Sequence, residues 1–158
     1  DEVINAIYKA DYVIMGPGSL YTSIIPNLLV DGMVEAIKGT NATRIYIPNV
    51  MTQPGETDGY DVLDHVKAIN KHTKGNLIDY IITNNEVIPD DCFKKYKKDG
   101  SNQVLLSKEQ RNSLKNMGIK IIEGDLIEIK NDYIRHHADS ICDIINDLAL
   151  NHCDDRAM

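Results

Sequence analysis

At 158 residues, 42% hydrophobic and 26% charged, the chain has the size and balance of one ordinary globular domain, able to bury about 70% of its unfolded surface. Its net charge of −7 excludes the broad basic surface that nonspecific nucleic-acid binding needs. No apolar run approaches the roughly 18 residues of a membrane span, and no signal peptide is visible at the start. Cys92, Cys142 and Cys153 lie far apart with no Cys-x-x-Cys pair. They read as reduced thiols of a cytoplasmic protein, two of them packing helices.

In chain order, residues 2–9 carry a helical pattern (Val3, Ile4, Ile7, Tyr8), and 12–15 read as a buried strand. The strand breaks into Gly16-Pro17-Gly18-Ser19. Gly16 and Gly18 allow a tight turn, Pro17 stiffens it, and Ser19, Thr22 and Ser23 can cap the helix that follows, whose free N–H groups favour an anion. That helix is expected from about Thr22 to Lys38, with Pro26 in its first turn and Gly39 as its stop. Arg44 to Pro48 reads as a second strand, Asn49 to Gly59 as a loop, and Tyr60 to about His72 as a helix followed by Gly75. Leu77 to Thr83 reads as a third strand, ending at Asn84-Asn85. Beyond it come a lysine-rich exposed helix over 90–99 and a second helix over 107–117 capped by Ser107. Strands follow at Ile119–Ile122 and Leu126–Ile129, joined as a hairpin through Glu123-Gly124-Asp125, and an amphipathic helix runs from Ala138 to Leu150.

This alternation predicts an α/β fold, three-layered around a mostly parallel Rossmann-like sheet, with a short hairpin and a C-terminal helix. Right-handed crossovers bring the loops 16–23, 49–59 and 84–86 to one edge of that sheet, the carboxyl edge where open α/β sheets bind ligands. The first loop lacks the Gly-Lys-Ser/Thr of a Walker loop and the spacing of Gly-x-Ser-x-Gly. The second exceeds the usual connection of about two to six residues and gathers Asn49, Thr52, Gln53, Glu56, Thr57 and Asp58 around Pro54-Gly55, groups suited to sugars, bases or a hydrated magnesium ion. Thr57 or Asp58 can instead cap the next helix. Asn84 is either a turn former or a third contribution to the same rim. His65 and His72, seven apart, have no metal spacing; His136 is a minor candidate beside a capping or exposed role, and Lys94, Lys95, Lys97 and Lys98 form a solvated face.

The strings G-P-G-S-L-Y-T-S-I-I-P-N-L-L-V (16–30) and N-V-M-T-Q-P-G-E-T-D-G-Y (49–60), supported by D-H-V-K-A-I (64–69) and I-R-H (134–136), closely resemble the gluconeogenesis-factor family (YvcK type). That family is related to the 2-phospho-L-lactate transferases and shares their CofD-like fold. Its members look about twice as long and open on a glycine-rich loop that is not found here. The resemblance therefore implies that residues 1–158 are the C-terminal part of a single CofD-like α/β domain, the N-terminal glycine-rich half being absent; the start at Asp1, already in a helical pattern, agrees with a fragment.

The resemblance further implies a cytoplasmic bacterial protein needed for cell shape and envelope synthesis during gluconeogenic growth, binding a UDP-sugar such as UDP-N-acetylglucosamine. On that expectation Gly16, Gly18 and Ser19 present N–H groups to the diphosphate, Thr52, Gln53 and Asn84 bind the sugar or base, and Glu56 or Asp58 orient hydroxyls or magnesium, with Pro17, Tyr21, Thr22, Asn49 and Thr57 as further residues of the ligand site. No nucleophile–base pair is evident, which favours a binding regulator. The alternative is a magnesium-dependent transferase acting on a nucleotide-activated phosphate substrate. Oligomeric state is open, with room for a homo-oligomer, and the exposed lysines around 94–98 offer a surface for a protein partner.

Overall fold

The computed structural model describes residues 1–131 and 133–156, with side chains up to residue 151. Helix α1 (Glu2–Lys9) leads into strand β1 (Tyr12–Met15). A π-helical turn over Leu20–Ile24 then runs directly into α2 (Ile25–Leu28), and α3 (Met33–Gly39) returns the chain to β2 (Thr43–Tyr46). Helix α4 (Val62–Thr73) connects β2 to β3 (Tyr80–Asn84), and α5 (Asp90–Lys98) with α6 (Lys108–Asn116) connects β3 to β4 (Lys120–Gly124). The chain closes with β5 (Ile127–Lys130), β6 (Tyr133–His136) and α7 (Ala138–Arg156).

Strands β1 to β4 form one parallel sheet in the order β1-β2-β3-β4. Each crossover steps the same way, so right-handed connections send α2, α3, α4 and α6 to one face. The period-two pleat divides neighbouring side chains between two cores. Tyr46 and Ile81 join Leu20, Ile24, Ile37, Val66, Ile69 and Leu114 on the helical face. Ile45 and Ile82 point the other way, under Ile141 and Leu148 of α7. The result is the expected three-layer α/β arrangement. No single helix among the described residues is long and apolar enough to cross a membrane.

Three expectations change. The helix expected over Thr22–Lys38 is broken: the first run stops at Leu28, Gly32 at φ +78° opens the next, and the two parts meet at 75°. Only a residue tolerant of positive φ makes that bend cheaply, and Gly32 supplies it. The expected hairpin through Glu123-Gly124-Asp125 does not form. Residues 120–124 pair in parallel with β3, from Tyr80↔Lys120 to Asn84↔Gly124, and the antiparallel hairpin is β5–β6, turning at Asn131 with φ +51°. Asparagine tolerates that left-handed turn, which fixes the hairpin one segment later. The helix expected from Tyr60 starts at Val62 because Asp61, not Thr57 or Asp58, is its cap, in a reciprocal capping box with Asp64.

Ser107 caps α6 as expected, in a capping box with Gln110. Of the cysteines, Cys92 packs in a small core and Cys142 is exposed, both as free thiols; the Cys153 side chain lies outside the described residues. That small third core, Val50, Met51, Ile88 and Ile134 with Phe93, Tyr96 and Ile127, seats α5 and the hairpin beyond the carboxyl ends of β2 and β3.

Candidate functional site

The first loop is set by Gly16. At φ +96° its Cα faces the end of β2 so closely that a Cβ would stand 2.5 Å from the Ile47 carbonyl oxygen. No side chain fits there. Pro17 and Gly18 carry the turn to Ser19, whose Oγ accepts from the Thr22 amide (3.3 Å) and donates to Glu56 Oε2 (2.8 Å). That bond joins the first loop to the second. A second link lies alongside it: the Tyr21 and Tyr60 hydroxyls are 2.8 Å apart, their rings edge to face. Tyr60's hydrogen bond, with burial adding to it, raises the Tyr21 phenol to about 12, so it stays protonated at neutral pH.

The second loop spends several of its polar groups on its own shape. Thr52, buried, donates its amide to the Asn102 carbonyl (2.7 Å), accepts the Asn102 amide on Oγ1 (2.8 Å) and accepts the Ser101 hydroxyl on its carbonyl (2.5 Å). Thr57 Oγ1 accepts the Gln53 amide, and Asp58 Oδ2 accepts the Gly55 amide, each at 2.8 Å. Asn49 donates to Gln53 Oε1 at 3.3 Å, and among the described residues the Gln53 NH2 group takes no partner. The third loop reaches the rim by a different route. Asn84, 2% exposed, gives its amide to the Glu86 carbonyl (2.7 Å) and takes the Leu126 amide on Oδ1 (3.2 Å), so its side chain is engaged within the fold. Gln103 then ties that loop to the second: it donates to the Glu86 carbonyl, accepts the Ile88 amide and bridges to Met51.

The structure thus brings the first and second loops together at Ser19–Glu56 and holds the third beside them. One cavity of the rim, however, is lined by the second loop without the first. This pocket of about 390 Å3 is lined by Asn49, Thr52 and Gln53 together with Tyr96, Arg135 and His136. Gly16 to Thr22, Glu56, Thr57 and Asp58 do not line it. Tyr96 is placed by α5 and accepts the Ile134 amide at 2.8 Å, leaving its own proton to give. Arg135 is exposed on β6, opposite Glu128 in register, and among the described residues it forms no ion pair. His136 Nε2 lies 3.1 Å from the Pro48 carbonyl, and burial holds its imidazole below the ordinary value, the Pro48 bond opposing. His137 serves elsewhere, its Nδ1 accepting from Ser140 at the start of α7.

Sequence pattern alone passes over Tyr96 and Arg135. The alternation Y-I-R-H after Asn131 was the available signal, since it marks a strand whose Arg135 and Ile134 must face opposite ways. For magnesium, no group of three or more acidic, histidine or cysteine side chains converges among the described residues. Glu56 and Asp58 each have one oxygen engaged, by Ser19 and by Gly55.

Comparison with known proteins agrees with this architecture. The family model described as 2-phospho-L-lactate transferase CofD matches residues 1–127. The gluconeogenesis factor of Bacillus subtilis is 45% identical over 147 residues, 93% of this chain and 45% of the relative. That of Halalkalibacterium halodurans is 42% identical over 144 residues, 91% of this chain and 44% of the relative. A crystal structure of a Bacillus halodurans protein superposes with a TM-score of 0.86 at 42% identity, covering 91% of this chain and 45% of that one. The chain spans less than half the length of these relatives.

Proposed function

The chain belongs to the CofD family, and from that membership and the rim's chemistry we propose that it binds a phosphorylated small molecule, a nucleotide sugar of the UDP-N-acetylglucosamine type, as a regulator and not as a catalyst. The observation that carries this reading is Arg135, which forms no ion pair among the described residues and lines a cavity of mixed polar and apolar wall at the carboxyl rim. A planar five-donor fork is what a phosphate calls for, and a single charge-assisted contact of that kind contributes about 1.5–3 kcal/mol. The Asn49–Gln53 pair and Tyr96 add neutral donors suited to a sugar or base. The cavity falls within the size range of small-molecule sites. The named relatives connect the reading to gluconeogenic growth, and we place the protein in the cytoplasm, serving cell shape and envelope synthesis.

Calorimetry with UDP-N-acetylglucosamine tests it. Saturable binding that Arg135→Gln weakens is expected; no heat and no thermal shift at millimolar ligand rejects it. A second reading, transfer of a phosphorus-containing group, is favoured by the description of the matching family model. Incubation with a nucleotide-activated substrate and magnesium separates the two, because a regulator returns its ligand unchanged.

A further inference from the structure

His136 is a ring on the cavity wall whose tautomer the fold itself dictates. Its Nε2 sits 3.1 Å from the Pro48 carbonyl. A carbonyl only accepts, so the neutral ring must carry its proton on Nε2, and Nδ1 is left with a lone pair. No partner for Nδ1 stands among the described residues. Among the neighbouring side chains the Gln53 NH2 and the Tyr96 hydroxyl offer donors, which suit phosphate and carbonyl oxygens and cannot recognise an N–H or O–H. Asp99 and the Asn49 Oδ1 are other acceptors on the wall, so His136 adds a neutral ring acceptor to them.

We propose that His136, locked as the Nε2–H tautomer by Pro48, is a specificity-determining acceptor that receives a neutral N–H or O–H of the bound ligand on Nδ1. This rests on the nucleotide-sugar reading and deepens it. Two parts of such a ligand could present that donor, the imide N–H of a uracil and a hydroxyl of the sugar. The charged and titratable groups around the ring are Arg135 on its own strand, Tyr96 and Asp99 from the α5 side and His137 next in sequence; the loop 49–54 brings none. Burial keeps the ring neutral at neutral pH, the state in which Nδ1 accepts. Protonation turns it into a donor and inverts the selectivity.

Two near-isosteric variants divide the role. His136→Gln keeps an N–H where Nε2 stood, preserving the bond to Pro48, and deletes the acceptor. His136→Asn puts a carboxamide oxygen near the Nδ1 position and gives up the Pro48 bond. Titrations with UDP-N-acetylglucosamine, whose pyrophosphate does not titrate in this range, are run at about pH 7.5 and about pH 5.5. His136→Gln is expected to weaken binding about tenfold at the higher pH with an unchanged Tm, and His136→Asn to weaken it less. Wild-type affinity falls only where the pH drops below the ring's depressed value; that of the variants does not. Titrations with UDP and CDP locate the donor. A loss in His136→Gln already seen with UDP, and no discrimination of UDP from CDP by that variant, assigns it to the imide; a loss seen only with the sugar nucleotide assigns it to the sugar. Equal affinity of wild type and His136→Gln at both pH values overturns the inference while leaving the nucleotide-sugar reading standing. A wild type that binds no nucleotide overturns both. Nitrogen-15 NMR of the free protein gives an independent check: a protonated Nε2 and a bare Nδ1 are expected, and the opposite tautomer overturns the inference.

Discussion

The main sheet and the hairpin beyond its carboxyl edge treat their arginines in opposite ways. At the amino end, Arg44 closes a two-pronged pair on Asp79, with Nη2 to Oδ1 at 2.5 Å and Nε to Oδ2 at 2.8 Å, and the Arg44 amide adds a third bond at 2.9 Å. That cation is used up in pinning β2 to the start of β3. At the carboxyl end of β4, Arg111 is consumed likewise by Glu123. On the hairpin, Arg135 stands on the cavity wall without such a partner among the described residues. A satisfied guanidinium stabilises the fold; an unsatisfied one beside a cavity is available to a ligand. The same contrast separates Asn84, whose amide is spent inside the fold, from Gln53, whose NH2 takes no partner among the described residues.

The sharpest break of this contrast is to unmake the carboxyl rim. Gly16→Ala forces a Cβ against the Ile47 carbonyl at positive φ and is expected to destabilise the protein by about 3 kcal/mol in urea denaturation. An unchanged midpoint means that the close approach of β1 and β2 is not as described. Next in size, Arg135→Gln should cost about 2 kcal/mol of nucleotide-sugar binding, roughly 30-fold in Kd, and leave Tm alone. A large drop in Tm makes Arg135 a structural residue like Arg44.

The mirror experiment is Asp79→Asn. Burial by itself raises the Asp79 carboxyl, but Arg44's hydrogen bonds and charge, with Lys120's, outweigh it and hold the group below its ordinary 3.8. A depressed folded value means the stabilisation is complete above the ordinary carboxyl value and fades as pH falls through the folded one. For this partly exposed pair we expect about 1 kcal/mol lost at neutral pH, a shallower acid limb in the stability curve, and no change in ligand affinity. Smallest, Ser19→Ala removes the link to Glu56 and should cost about 0.5 kcal/mol of stability. A much larger loss means that the bond between the first two loops holds more of the rim than it does here.

The legible part of this molecule was local. Apolar runs bounded by glycine gave β1, β2 and β3 their type and order, and the Ser107 cap gave α6. Where one residue's conformation decides, pattern was a poor guide: Gly32 sits inside an apolar periodicity that argues for one helix, and Asn131 moves the hairpin one segment along. The site was legible as loops and not as a cavity. Nothing local in 49–60 states that α5 and β6 will come to lie against it, because that contact depends on Phe93, Tyr96 and Ile134 packing on Val50 and Met51 across long sequence separations. Nor does sequence tell which arginine will meet a carboxylate. Asp79 precedes β3 and faces Arg44 only once the strands are paired.

Crystallising the protein with UDP-N-acetylglucosamine decides between the two ends of the sheet. Phosphate oxygens are expected within hydrogen-bonding distance of the Arg135 guanidinium, in the cavity beside Asn49 and Gln53. A nucleotide seated at the amino end near Arg44, or one that leaves Arg135 untouched, refutes the assignment of the carboxyl rim as the ligand site.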